Sequence, residues 1–465
     1  MVCLRQGSLP LWLPDLNAGF GSPGIRLYSP AGPFLAGLFG LFLGDAGRGL
    51  RFTVALSVAA LFFLVRRRLL PNPSGWSLLW IASPILPFIL FHRGAFSEVY
   101  ALPLSFWLLH PPPQASSRPF NLAAIWALLW LVHAPSFLMT SLLSFLAILG
   151  QRSLKAIGDW LGSWGLGLLA VAWHWLPLWT EQVATRSGLT AGIFDFRRNF
   201  LAFTQAHDSL AVADLGWLAV CWGAVLLLCQ GRASREGLLT TASLFLASPL
   251  SYPLWIALPP LAFLQFPWRF LTPASLLLPG VVAGNRSPSK QLLGLLLFCL
   301  PHLWLPNWRT LGDPRLHGRE TWHSLGEKMY TAFSANPLLV DAQQNRPPAF
   351  SLLADNIPLF GQNALLCPGP CEVKMWRPLR KEVEVDGPGG RLRFRILAYP
   401  FWRAKVDGRP IAVSGSQGTV SVRVPPGKHR VVVYWAGNAA ARLGWLGAIL
   451  AFFALTRWEH HRKKP

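Results

Sequence analysis

Apolar runs recur along the first two thirds of the chain, and no other feature limits its fold as severely. A helix needs about 20 mostly apolar residues to cross a bilayer. Candidate spans fall at 49–65, 76–91, 97–110, 120–132, 135–150, 156–178, 212–230, 237–262, 268–284, 290–306 and 442–457. Prolines interrupt several of them, most clearly 76–91 and 237–262. Only 13% of residues are charged, about half the share of a soluble chain. A soluble multi-domain architecture is thereby excluded, and a multi-span α-helical membrane bundle is expected.

The formal net charge is +22, which in a soluble chain would suggest nucleic acid. Much of it sits instead in short clusters at the ends of apolar runs: Arg66-Arg67-Arg68, Arg118, Arg152 with Lys155, Arg232 with Arg235, Arg286 with Lys290, and the tail from Arg457 to Lys464. That is the pattern of positively charged cytoplasmic loops, and no nucleic-acid-binding module accompanies it. With Arg66 to Arg68 inside, strict alternation sends every other short basic loop, and the tail, to the same side. Residues 1–48, 91–97, the turn near 133, 179–211, 263–268 and 307–441 then face outward. The N-terminus also falls outside with no segment to carry it there, so a helix upstream of Met1 is expected.

Five regions follow. Residues 1–48 form an outer loop punctuated by Gly and Pro, with an interfacial helix at 33–43, a run too short to cross. Residues 49–306 form the bundle, 307–441 an extracytoplasmic β-rich domain, 442–457 the last span and 458–465 a basic cytoplasmic tail. The β assignment rests on period-two alternation: Leu392, Phe394, Ile396; Trp402, Ala404, Val406; Val420, Val422, Val424; Val431, Val433. Such alternation marks half-buried strands. Asp407-Gly408 and Pro425-Pro426-Gly427 read as turns between them. A small antiparallel sandwich is expected. Cys367 and Cys371, in CPGPC, are a disulfide pair if that region is extracytoplasmic. Cys221, Cys229 and Cys299 read as small buried apolar residues.

Candidate chemistry lies in polar groups at the outer membrane face, where ionisable side chains are costly. Arg93 and Glu98, in HRGAFSEVYAL, are either an interfacial ion pair or a cleft wall, with Arg for a phosphate and Glu for a metal or sugar hydroxyl. Asp15, in WLPDLNAGFGSP, is either turn chemistry or a catalytic carboxylate. Arg269, in LQFPWRFL, is either an aromatic-belt anchor or a lipid-phosphate ligand. Glu181 and His133 are secondary candidates, His133 standing at a helix end. No GxxxxGK[ST], HExxH or GxSxG motif is present.

At these segments the sequence resembles the bacterial membrane family labelled 6-pyruvoyl-tetrahydropterin-synthase-related. It is similar also to the wider GT-C superfamily of lipid-linked sugar transferases. The pieces that carry the resemblance are WLPDLNAGFGSPGIRLYSPAGPFLAGL, RGAFSEVYALPLSFWLL, WHWLPLWTEQV, LQFPWRFL, FWRAKVDGRPIAV, VPPGKHRVVV and AARLGWLGAIL, in order along nearly the whole chain. The resemblance implies a GT-C-like bundle in the bacterial inner membrane with its cleft at the extracytoplasmic face. It implies a sugar donor on a polyprenyl phosphate, a glycan or protein acceptor, and an acidic residue of the first outer loop as catalytic base; from the residues themselves, Asp15 and Glu98 are the catalytic candidates and Arg93 and Arg269 the phosphate ligands. In that family an acidic residue and a His precede the Trp-x-Pro-Asp segment. Trp12 stands too close to Met1 for that motif, which leaves Asp15 as either the base or the second acid. Pterin synthesis is not expected, because its His-built zinc site has no counterpart beyond His460-His461 in the tail.

Membrane lipids are the expected surroundings. No cofactor is expected, with a divalent metal the one exception that Glu98 allows. A non-catalytic scaffold or lipid-binding subunit of envelope assembly is the alternative. A transporter would need inverted repeats and midplane charges, and neither is found. The topology is directly testable: single cysteines at Ser416 and Lys464 should react with an impermeant thiol reagent from opposite sides of the membrane. Labelling of both from one side would overturn it.

Overall fold

The computed structural model describes residues 2–7, 11–14, 19–21, 23, 28–69, 83–93, 95–111, 119–185, 196–201, 209–229, 234–303, 359–361, 363–415 and 418–463. The fold is mainly helical, with a small antiparallel two-sheet domain near the C-terminus. Two compact units result. One gathers 31–171, 190–314 and 446–465, the other 1–30, 172–189 and 315–445. The expected division ran by contiguous stretches of sequence; the second unit instead assembles three separate ones.

The principal helices are α1 (Ala31–Phe42), α2 (Ala46–Leu69), α3 (Phe96–Leu109), α4 (Pro119–Val132), α5 (Ala134–Leu149) and α6 (Leu154–Ala170). They continue as α7 (Ala172–Thr185), α8 (Ser209–Cys229), α9 (Arg235–Ala247), α10 (Leu271–Gly284), α11 (Pro288–Cys299) and α12 (Ala439–Lys463). Side-chain caps set several starts. His133 accepts from the Ser136 amide, Ser153 from that of Ala156 and Ser234 from that of Gly237, each satisfying a first-turn donor. Among the described residues, two helices are long and apolar enough to cross a membrane, 46–67 and 439–461.

Helices α3 and α10 each bury nine of their 14 residues, which places them at the centre of the helical unit. Phe106, Trp222, Phe270 and Leu277, none of them exposed, lie in its main core. A second cluster packs aromatics edge to face and in stacks: Trp126 on Phe137 and Trp160, and Trp160 on Trp164. The indole N–H groups of Trp160 and Trp164 donate to Ser144 and Ser141 at 3.1 and 2.9 Å, so this layer is both apolar and hydrogen-bonded.

Proline explains most departures from the expected spans. The described part of 76–91 is one α turn, Ile85–Pro87, running into a π-helical turn, Phe88–His92. The 237–262 run breaks after Ala247 into Pro249–Ser251, Tyr252–Ala257 and Pro259–Ala262, each with Pro in its first turn, where its missing N–H costs nothing. The 156–178 run divides at Val171, whose φ of −110° and ψ of 17° end α6.

In the other unit, the first sheet runs β1 (Leu365–Leu366), β4 (Gly390–Leu397), β8 (Thr419–Val424), β7 (Val413–Ser414). The second runs β2 (Cys371–Arg377), β3 (Arg380–Gly387), β9 (Gly427–Trp435), β5 (Trp402–Val406), β6 (Arg409–Ile411). Every pairing is antiparallel. The alternating residues do point inward: Leu392, Phe394, Ile396, Trp402, Ala404, Val420, Val422, Val424, Val431 and Val433 are each at most 2% exposed. Asp407 and Gly408, with φ of 49° and 81°, make the β5–β6 hairpin; two successive positive φ values suit the strand twist there. Strands β2 and β3 were not anticipated, because their outer positions alternate charges. Lys374 bridges Glu372 at 2.7 Å and Glu384 at 3.6 Å across the pair. The expected Cys367–Cys371 disulfide is present and closes the Pro-Gly-Pro loop.

The N-terminal stretch, expected as an outer loop, contributes two rings to this core. Trp12 is 1% exposed, with ring centroids 5.2 Å from Trp402 and 5.5 Å from Trp435. Phe20 meets Phe360 at 5.4 Å, and its carbonyl accepts from the Leu397 amide at 2.8 Å. Gly21 lets the chain turn over the indole: it has a φ of 79°, and a Cβ there would lie 2.1 Å from Trp12 Nε1. Trp12→Ala should therefore cost about 3–5 kcal/mol of this unit's stability, measurable by thermal unfolding of the purified protein. Unchanged unfolding would show that the first segment is dispensable to the core.

Candidate functional site

The helical unit collects four polar side chains from two stretches of sequence, 93–98 and 269–272. Arg93 follows the π-helical turn 88–92; such turns are frequent at functional sites. Glu98 lies in the first turn of α3, where the helix dipole favours a carboxylate. The LQFPWRFL segment bends sharply: Gln265 has φ 61°, Phe266 is extended, and Pro267–Phe270 forms a 3₁₀ turn. That bend turns Arg269 inward, 7% exposed, where its Nη1 donates to the Leu264 carbonyl at 2.7 Å. Thr272 begins α10 immediately afterwards.

Glu98 has no exposed surface. Its Oε2 accepts from Arg93 Nη1 at 3.1 Å and its Oε1 from the Thr272 hydroxyl at 2.7 Å. The two guanidinium groups flank one ring, Arg93 at 5.4 Å and Arg269 at 4.8 Å from the Phe266 centroid. Arg93 also lies 4.6 Å from the Trp268 ring. Among the described residues Arg269 has no carboxylate partner, and its buried Nε has no acceptor. Among the described residues, two cations against one carboxylate leave the cluster with net positive charge.

His133, in the turn between α4 and α5, is 1% exposed. Its Nδ1 pairs with the Ser136 hydroxyl at 2.7 Å. Burial first, then the fields of Arg269 and Arg93, lower its pKa well below the ordinary value, so a neutral imidazole faces the arginines. His133, Arg93, Glu98 and Arg269 thus share one neighbourhood. Asp15 lies outside the described residues. Glu181 belongs to the other unit, where it is 2% exposed. The Tyr399 hydroxyl donates to its Oε2 at 2.6 Å and Asn438 Nδ2 to its Oε1 at 2.8 Å. That carboxylate ties α7 to the strands and to the start of α12. Among the described residues, no group of three His, Cys, Asp or Glu could hold a metal.

Two participants escaped the sequence reading. Thr272 carried no signal beyond its place three residues after Arg269. Lys381 carried one, since it shares the inward face of β3 with Val383 and Val385 at spacing two. It is 2% exposed, and its Nζ donates to the Pro378 carbonyl at 2.5 Å. The ammonium lies 4.9 Å from the Trp402 ring and 5.7 Å from that of Trp376. Burial lowers its pKa from 10.5 to about 7, opposed only by the nearby Cys3 thiol.

A lowered folded-state pKa means that the unfolded chain binds the extra proton between about 7 and 10.5, so stability rises with pH across that window. The burial penalty is complete below the window and absent above it. Lys381→Met should raise the melting temperature most on the acid side of pH 7 and progressively less toward pH 10.5. A difference independent of pH would contradict this account.

Compared with protein-family models, with curated proteins and with solved structures, the chain matches none.

Proposed function

We propose that the chain is a polytopic membrane glycosyltransferase of the GT-C type, akin to the 6-pyruvoyl-tetrahydropterin-synthase-related membrane family. In this reading it moves a sugar from a polyprenyl-phosphate carrier to an envelope acceptor at the extracytoplasmic face of the bacterial inner membrane. The observation that carries the reading is Arg269: a buried guanidinium that, among the described residues, has no carboxylate and an unsatisfied Nε–H. Such a group is costly unless an anion completes it, and a phosphate matches the guanidinium fork. The apolar surface of the helices fits a lipid environment, with Leu227 86%, Trp217 64% and Phe453 64% exposed. Further spans beyond 46–67 and 439–461 would come from shorter apolar helices such as Phe96–Leu109 and Ala134–Leu149.

The chemistry follows from the charge balance. The acceptor hydroxyl attacks the anomeric carbon, the bond from that carbon to the phosphate oxygen breaks, and the lipid phosphate departs. Arg269 and Arg93 stabilise the charge that develops on it. As Arg93 turns from Glu98 to the phosphate, the carboxylate is released from its ion pair. It can then take the hydroxyl proton. The resemblance leaves Asp15 as either the base or the second acid.

Glu98 supports a second reading as well. With both oxygens bonded and no exposed surface, it would serve as a structural anchor in a non-catalytic scaffold or lipid-binding subunit. Transfer from a polyprenyl-phosphate-linked sugar in reconstituted vesicles separates the two. Glu98→Gln should lower kcat by roughly 10²–10⁴-fold, and Arg269→Gln should weaken donor use by at least about tenfold, with both proteins still folded. Wild-type transfer by both variants, or no transfer by the wild type, would leave only the scaffold.

A further inference from the structure

The strand-built unit contains a cavity of about 210 Å³ lined in part by Trp12, Phe20, Trp376, Arg377, Lys381 and Arg395. None of its described lining residues is acidic. Lys381 is the informative member. A lysine so deeply buried ordinarily has a carboxylate beside it. Here the ammonium has one carbonyl and two indole faces, and no carboxylate among the described residues. Arg377 stands exposed at the end of β2 and Arg395 lies on β4, so two further cations line the same space. Arg395 is held in place, donating from Nη1 to the Gly361 carbonyl at 2.9 Å over the Phe20 ring.

Positive charge supplies one half of a specificity and the aromatic wall the other. Trp376 is half-buried, with its ring stacked on Phe394 at 6.3 Å. An indole face attracts the polarised C–H groups of a saturated ring as it attracts cations. The volume is below the range of drug-sized sites and leaves room for one ring. We infer that this cavity binds a monosaccharide-sized ring bearing an anionic group, a carboxylate or a phosphate, with Lys381 facing the anion and Trp376 facing the ring. The site is separate from the Arg93–Glu98–Arg269 cluster and does not depend on the transferase reading, because binding here requires no transfer.

Binding of the anion holds Lys381 protonated, so affinity falls as pH rises through the lysine's titration range. Among the described residues, the titratable and charged groups facing Lys381 are Cys3 from the N-terminal turn, Arg377 from β2 and Arg395 from β4. The arginines keep their charge across that range. Calorimetry on the detergent-solubilised full chain tests the proposal with glucuronate, glucose 6-phosphate and neutral glucose as probes. At about pH 6 at least one anionic probe should bind saturably and glucose about tenfold more weakly or not at all. Binding by the uronate alone, or by the phosphate alone, names the substituent the cavity takes. Lys381→Met should weaken that binding about tenfold and abolish its pH dependence. If that variant does not fold, Arg377→Glu, on an exposed side chain, should weaken binding several-fold. Absence of binding by both anions, equal binding of glucose, or unchanged affinity in the folded variant overturns the proposal.

Discussion

A charge removed from water must be answered where it stands, and the helical unit is arranged around that requirement. Glu98 can have no exposed surface because Arg93 and Thr272 occupy both of its oxygens. Arg93 follows a π-helical turn only five residues before Glu98, while Thr272 stands at the start of α10, so one carboxylate joins two segments that are remote in sequence. The same rule makes Arg269 conspicuous. Its guanidinium is spent partly on the Leu264 carbonyl and partly on the Phe266 ring, and neither neutralises it.

The strand-built unit meets the same rule in two further ways. At Glu181 two donors converge on the carboxylate, and the outcome is a strut between helix and strands. At Lys381 aromatic faces stand where a counter-ion would, and burial lowers its pKa. Glu181, held by donors from the strands and from the start of α12, reads as architecture. A buried cation without an acid reads as a place for something else to bind.

How much of this the sequence disclosed depends on the distance over which each signal acts. Strands β4, β5, β8 and β9 were legible because one face of each is fully apolar, and the 407–408 turn because its residues tolerate positive φ. Helices α3, α4, α5 and α8 were legible from apolar runs with boundaries off by a few residues. Val171 was missed as a helix end because nothing in Leu-Ala-Val-Ala interrupts an apolar run. Strands β2 and β3 were missed because their charges belong to an exposed ladder. The neighbourhood of Arg93, Glu98 and Arg269 was legible from chemical type, since few ionisable residues interrupt the apolar segments. Thr272 and Lys381 were not, because a hydroxyl or an amine acquires meaning only from neighbours that the chain brings in over long separations.

The seating of Trp12 against Trp402 and Trp435 has a consequence in time as well as in space. A ribosome adds about 5–20 residues per second, so the first ring emerges on the order of tens of seconds before its partners exist. Through that interval Trp12 and Phe20 have no native cover, and the rest of the chain is being made between them and it. Their closure is a late, long-range event with a large loop entropy. The sheets that need them are synthesised late, followed only by α12 and the tail, which makes completion of this unit a step exposed to misassembly and one where a chaperone or an interface would have a large effect.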